Sequence, residues 1–206
     1  FEAGLVRLTA NQPYVNSLNV FPVPDGDTGT NMVLTMQAAL KEAEIRQSEN
    51  IGEMAHAIAQ GALMGARGNS GVILSQIWRG FARALDHYDT MDSALFVRAM
   101  QEARNTAYKG VVRPVEGTIL TVIKDMTAAA EEAAKRGAPL HEILVEIVRA
   151  GDESVRRTPE LLPILKQAGV VDSGGTGLYY IFEGMLRFIE GQPLDVSTVV
   201  AKPLSE

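Results

Sequence analysis

The chain has 206 residues, 46% of them hydrophobic and 21% charged, which is enough for a packed core and too apolar for disorder. Nineteen basic against 25 acidic residues leave a net charge of −6, a surface that repels a polyanion and argues against nucleic acid as a partner. The lack of cysteine excludes a disulfide scaffold, a thiolate metal centre and a cysteine nucleophile, and no apolar run nears the ~18 residues of a membrane span.

In chain order, apolar residues recur at three- and four-residue spacing over 2–18, 31–47, 52–66, 70–87, 91–109, 117–136 and 139–157, and each stretch is predicted as a helix. Pro139 suits a first helical turn, where its missing N–H costs nothing. Residues 158–169 carry Pro159 and Pro163 and read as a short turn of helix. A last helix is predicted over 175–190, closed by Gly191 and Pro193. Val20 to Pro24 holds β-formers, but its two prolines forbid a central strand. The predicted class is all-α, with a domain over 1–191 and a linker over 192–206. Phe1 opens the chain in place of Met and no signal peptide is present, which predicts a cytoplasmic domain from a longer protein.

Four breaks between helices are rich in Gly, Ser and Thr: Asp25 to Met32, Gly65 to Gly71, Val115 to Thr118 and Asp172 to Gly177. Each offers backbone N–H groups and a hydroxyl at the positive end of a helix, which suits a phosphate. Taken singly, each reads more readily as a helix cap. The four open the second, fourth, sixth and final helices, so in an antiparallel bundle they meet at one end, around one pocket.

Asp25-Gly26-Asp27 sets two carboxylates one glycine apart, a hard-oxygen pair suited to Mg²⁺. An EF-hand loop counted from Asp25 would need Glu at its twelfth position, where Met36 stands, and no Gly-x4-Gly-Lys-Ser/Thr stretch exists. His56, His87 and His141 are spread over helices, so a histidine zinc site is not expected. Paired Asp beside phosphate-binding helix ends points to Mg²⁺–nucleotide chemistry.

The string Asn19-Val20-Phe21-Pro22-Val23-Pro24-Asp25-Gly26-Asp27-Thr28-Gly29-Thr30-Asn31-Met32, with Gly65 to Gln76, Pro114 to Val122 and Val171 to Gly177, resembles the nucleotide-binding domain of the bacterial fatty acid kinases. These belong to the dihydroxyacetone kinase L-type (DhaL, DAK2) family. The resemblance implies an antiparallel up-and-down eight-helix barrel with ATP and two Mg²⁺ ions at one end. It implies Asp25 and Asp27 as metal ligands, with Asn19 where the dihydroxyacetone kinases have a third Asp. Thr28, Gly29, Thr30 and Asn31, then Gly68, Asn69, Ser70 and Gly71, would bind the nucleotide phosphates. Gly117 and Thr118 would line the pocket, and Asp172 and Ser173 would close it near the sugar or base.

The implied reaction is phosphoryl transfer to a fatty acid carboxylate, presented by a separate DegV-like fatty-acid-binding B component, and further domains of the same protein would take part. An L-type subunit of a dihydroxyacetone kinase, or a nucleotide-binding module inactive without its other domains, is the alternative. A carboxylate acceptor needs no general base but does need a cation against the repulsion of two anions. Arg67, beside the phosphate loop, is the candidate, with Lys109 and Arg113 behind it. The aromatic residues Trp78, Phe81, Tyr179, Tyr180, Phe182 and Phe188 are expected mainly in the core, with a few free for a homodimer or interdomain contact.

Overall fold

A computed structural model describes residues 1–195; of the expected linker, 196–206 lie outside the described residues. Among the described residues there are ten helices and no strand. They are α1 (Glu2–Ala10), α2 (Gln12–Ser17), α3 (Thr28–Arg46), α4 (Ile51–Gly65), α5 (Gly68–Ala84), α6 (Ser93–Lys109), α7 (Ile119–Lys135), α8 (Leu140–Leu161), α9 (Pro163–Ala168) and α10 (Ser173–Ile189). No described helix is long and apolar enough to cross a membrane.

Each long helix packs on its neighbour in sequence, and α10 returns to α1, which closes a ring. With α1 and α2 as one bent segment and α9 as a connector, this is the expected antiparallel eight-helix barrel. Met32 and Met36, Leu74 and Ile77, Ile123 and Met126, Ile143 and Ile147, and Leu178 and Ile181 recur at helical spacing and are almost wholly buried. Each contributes about 1.5–3 kcal/mol of transfer free energy. The α1–α10 seam holds an inward ion pair, with the Arg7 guanidinium Nε donating to Glu183 Oε2 at 2.7 Å. Arg187 Nε donates to Oε1 of the same carboxylate at 2.9 Å, so the buried charges answer one another.

Two predicted boundaries are wrong for identifiable reasons, and a third, the end of the 70–87 helix, falls short. The 2–18 helix breaks at Asn11, because Pro13 in the first turn of α2 supplies no N–H for the Thr9 carbonyl. In contrast, α8 runs through Pro159 to Leu161, past the expected stop at 157. The carbonyl of Val155, which loses the Pro159 N–H, accepts from the Thr158 hydroxyl at 2.7 Å instead. The α5 helix ends at Ala84, and His87 sits in the following turn at φ 68°, not in a helix. Trp78, Tyr180 and Phe182 are core residues, whereas Phe188 is 69% exposed.

Candidate functional site

The chain arrives at the site through the α2–α3 loop, which is organised by one side chain. The Asn19 carbonyl oxygen accepts from the Asp27 and Thr28 N–H groups, both at 3.2 Å, and from the Thr28 hydroxyl at 2.8 Å. Its amide donates to the Val23 carbonyl at 2.9 Å. Asn19 is therefore the remote cap of α3, with three donors on its carbonyl. That loop holds Asp25 exposed and Asp27 half-buried at the helix start. Among the described residues neither carboxylate has a hydrogen bond or ion pair. Gly26, between them, has φ 68°, a left-handed turn that glycine adopts freely.

Thr28 joins three helix ends. Its hydroxyl accepts from Ser173 at the start of α10, at 3.2 Å. Its carbonyl accepts from the Ser70 hydroxyl of α5, at 3.5 Å. Gly29 and Thr30 face the other way. A Cβ on Gly29 would lie 2.7 Å from the Gln12 carbonyl oxygen. The Thr30 hydroxyl accepts from Gln12 and Asn16 at 2.9 and 3.0 Å, so both residues tie α3 to α2.

The start of α5 is left open. Gly68 has φ 57°, and a Cβ there would collide with the Asn31 side chain. The cap residue Arg67 offers no side-chain bond. Among the described residues the N–H groups of Gly68, Asn69 and Ser70 have no partner, the first internal bond being Gly71 N–H to the Arg67 carbonyl. Three open amides at a positive helix end are suited to an anion. Gly71 is buried against Thr35 of α3, beneath this end.

The other two helix starts are capped from within. The Thr118 hydroxyl accepts from the Leu120 N–H at 3.3 Å. Gly117, expected in the pocket wall, has φ 81° and is packed beneath it, where a Cβ would meet the Leu162 side chain at 2.7 Å. Asp172 accepts from the Gly175 N–H at 2.7 Å and from the Ile119 N–H, so it serves both α10 and α7. Burial pushes its carboxyl up to about 6, against the pull of those two bonds.

All four helix starts line one cavity of about 720 Å³, a size that suits a small ligand. Asn19, Asp25, Asp27, Thr28, Asn31, Gly68, Asn69, Ser70, Thr118, Asp172 and Ser173 line it; Gly29, Thr30, Gly71, Gly117 and Arg67 do not. Arg67 is exposed. Sequence reasoning placed Arg113 only behind Arg67 and named Val115 in a helix-opening loop, but missed that Gly110, Val111 and Val112 join them in a wall of the cavity that also carries Phe21 and Val23. Its signal is Val111-Val112, an apolar pair in a turn between Gly110 and Pro114.

The described residues hold no group of three or more acidic or His residues placed for a metal. Two free carboxylates nevertheless fit Mg²⁺, which keeps several waters and is held by one or two carboxylates plus substrate phosphates. The histidines stay apart from the cavity: His56 pairs with Asp86 and His141 with Glu190.

The family model described as the DAK2 domain matches residues 22–187. The chain belongs to the DAK2 domain family. Uncharacterized proteins of two Staphylococcus aureus strains, bovine RF122 and USA300, are each 48% identical to it over 192 residues, 93% of this chain. The chain spans 35% of the length of those relatives. The dihydroxyacetone kinase of C. freundii in complex with AMP-PNP and Mg²⁺ superposes with a TM-score of 0.64 at 17% identity, covering 90% of this chain and 33% of that one. Its native form gives 0.63 at 16% identity, covering 90% and 34%. At this identity the likeness concerns the fold: the DAK2 domain here is the same helical barrel.

Proposed function

We propose that this DAK2 domain is the Mg²⁺–ATP-binding, phosphoryl-donating domain of a fatty acid kinase. One observation carries the reading: the open amides of α5 and the unpartnered Asp25 and Asp27 lie on the same cavity. Gly68, Asn69 and Ser70 cradle the nucleotide phosphates, with Asn31 and Thr28 beside them. Asp25 and Asp27 hold Mg²⁺, which would neutralise phosphate charge and orient the terminal group. Thr118, Asp172 and Ser173 complete the wall toward the nucleoside. The AMP-PNP and Mg²⁺ of the C. freundii kinase support the same ligand pair for this barrel.

The acceptor is a fatty acid carboxylate presented by a separate fatty-acid-binding protein. A carboxyl group with a pKa near ~4.5 is ionised at neutral pH and needs no base. One carboxylate oxygen forms a bond to the γ-phosphorus, the bond from that phosphorus to the β–γ bridging oxygen breaks, and its electron pair leaves with ADP. The mouth of the cavity fits such a partner, since Val23 is 57% and Val112 99% exposed beside the phosphate end. The Asn19–Asp27 loop that carries Val23 is the stretch that favours the fatty acid branch. Residues 1–191 serve as the nucleotide domain, and 192–206 lead to further domains that the full activity needs.

Calorimetry with AMP-PNP, with and without Mg²⁺, tests the reading. Wild-type chain binds in a Mg²⁺-dependent manner, and Asp25→Ala/Asp27→Ala weakens binding by about 100-fold or more, as expected when two charged ligands are lost. Mg²⁺-independent binding, or an unaffected double variant, would overturn the metal assignment. Offering fatty acid on its carrier or free dihydroxyacetone to the full-length protein with ATP distinguishes the two acceptors.

A further inference from the structure

Among the described residues four charged side chains line the cavity: Asp25, Asp27, Asp172 and Arg113. A polyphosphate entering a pocket with three carboxylates needs protein cations as well as a metal. Of the described cations Arg113 alone stands in the wall, and its guanidinium has no ion pair or side-chain hydrogen bond there. Lys124 is committed to Glu116 at 2.6 Å and Arg157 to Asp125 at 2.7 Å. Arg67, the cation nearest the phosphate loop in sequence, is exposed and does not line the cavity.

The loop that carries Arg113 is held at both ends. On one side the Gly110 N–H donates to the Thr106 carbonyl at 2.9 Å, closing α6. On the other, Glu116 gathers three donors: the Thr121 hydroxyl at 2.7 Å, Lys124 Nζ at 2.6 Å and the Tyr108 hydroxyl at 3.0 Å. The same Thr121 hydroxyl accepts from the Gly117 N–H at 2.8 Å, so the Glu116 carboxylate links α6, α7 and the loop between them. Partial burial pushes this carboxyl up, but the bonds from Lys124, Thr121 and Tyr108 outweigh that and hold it below the usual range. At neutral pH it is an anion, and the anchor is closed.

Resting on the Mg²⁺–ATP reading, we propose that Arg113 is the protein's cation for the terminal phosphate of the nucleotide, and that Glu116 positions it by anchoring the 110–118 loop. Arg113 shares the cavity wall with the open end of α5 and the Asp25–Asp27 loop. A nucleotide whose α- and β-phosphates rest on α5 directs its last phosphate toward the mouth, where Arg113 is. A planar guanidinium is suited to phosphate oxygens and stays charged throughout.

The test compares AMP-PNP with ADP, both with Mg²⁺, by calorimetry on this chain. Arg113→Ala is expected to weaken AMP-PNP by about 10- to 100-fold, the loss of a charge-assisted bond, while ADP changes less than about twofold because it lacks the phosphate concerned. Arg113→Lys restores part of the difference. Glu116→Ala, with Arg113 intact, reproduces the triphosphate-specific loss in weaker form, and Glu116→Gln retains more binding than Ala; a merely structural effect would move both nucleotides together. Equal losses for AMP-PNP and ADP in Arg113→Ala, or a silent Arg113→Ala beside a triphosphate-specific loss in Arg67→Ala, would overturn the assignment and leave the Mg²⁺–ATP reading standing. A folded wild-type chain that binds neither nucleotide would overturn both.

Discussion

At the far end of the barrel Asn50 and Asp92 cap α4 and α6 with their own side chains, whereas at the cavity end α5 begins with three open amides. The start of α4 is closed further by the Asp89 and Tyr88 carbonyls, each accepting an N–H at 3.1 Å. Its first turn also carries Glu53, and that of α8 carries Glu142. None of the described helices that start at the cavity has an acid in its first turn. The far end closes α4 and α6 with their own side chains, while at the cavity end α5 keeps its first amides open and leaves positive potential for a ligand. Glycine and serine in the cavity loops therefore differ in purpose from the same residues elsewhere.

Two left-handed glycines sharpen this contrast most strongly. Gly68 at the cavity and Gly137 in the α7–α8 turn have φ 57° and 74°. A Cβ at Gly137 meets nothing within 4 Å, whereas at Gly68 it collides with Asn31. Gly137→Ala costs about 1–2 kcal/mol of backbone strain and leaves AMP-PNP affinity unchanged. Gly68→Ala adds the clash to the strain, roughly 2–5 kcal/mol in all, and displaces the α5 amides. Thermal unfolding and calorimetry on the two variants give the comparison, and equal effects on nucleotide affinity would break it.

The next effect comes from the buried acid of the cavity end. The Asp172 carboxyl titrates near 6 in the fold, above its ordinary 3.8, so the folded state binds the proton more tightly than the unfolded chain. Its contribution to stability is fully present below about pH 4 and is lost as pH rises through 6, with a span of roughly 2–3 kcal/mol. Asp172→Asn keeps an oxygen for the Gly175 and Ile119 N–H groups and removes the titration. The variant's melting temperature relative to wild type should rise between pH 4 and 7 and then level off. A difference that is flat with pH would remove Asp172 as the source.

How much of this was legible follows from the kind of signal each feature leaves. Helical periodicity and the order of the Gly- and Ser-rich loops placed four helix starts at one end, because alternation in an antiparallel barrel is set by sequence order alone. The break at Asn11 was not legible, since Pro13 is acceptable in a first turn and the periodicity continues across it. Passage through Pro159 depended on the Thr158 hydroxyl finding Val155, a rotamer choice. Arg67 attracted attention by proximity in sequence, but its side chain makes no cap bond and does not line the cavity. Arg113 lies more than 40 positions from the Gly68 loop and reaches the cavity only because α5 and α6 run antiparallel. Asn19 shows how the same motif can read as a ligand or as a clamp, since both roles need an oxygen next to Asp27.

That ambiguity sets the smallest contrast between the two ends. Asn19 and Asn50 are both caps, but Asn50 accepts from the single N–H of Glu53 on the surface, while Asn19 gathers three donors at a nearly buried position. Asn50→Ala should cost about 1 kcal/mol, the usual value for a cap, and leave the cavity intact. Asn19→Ala leaves the Thr28 N–H and hydroxyl unsatisfied and should cost about 2 kcal/mol. It also frees the loop that holds Asp25 and Asp27, so Mg²⁺-dependent AMP-PNP binding weakens in proportion to the order lost. Asn19→Asp separates clamp from ligand. If the position is a clamp, the introduced carboxylate would still accept the Asp27 and Thr28 N–H groups but could not donate to the Val23 carbonyl, and its charge would repel Asp27, so affinity falls. If the position is a ligand, the added charge would raise Mg²⁺ affinity, and a tighter metal titration would return Asn19 to the metal site.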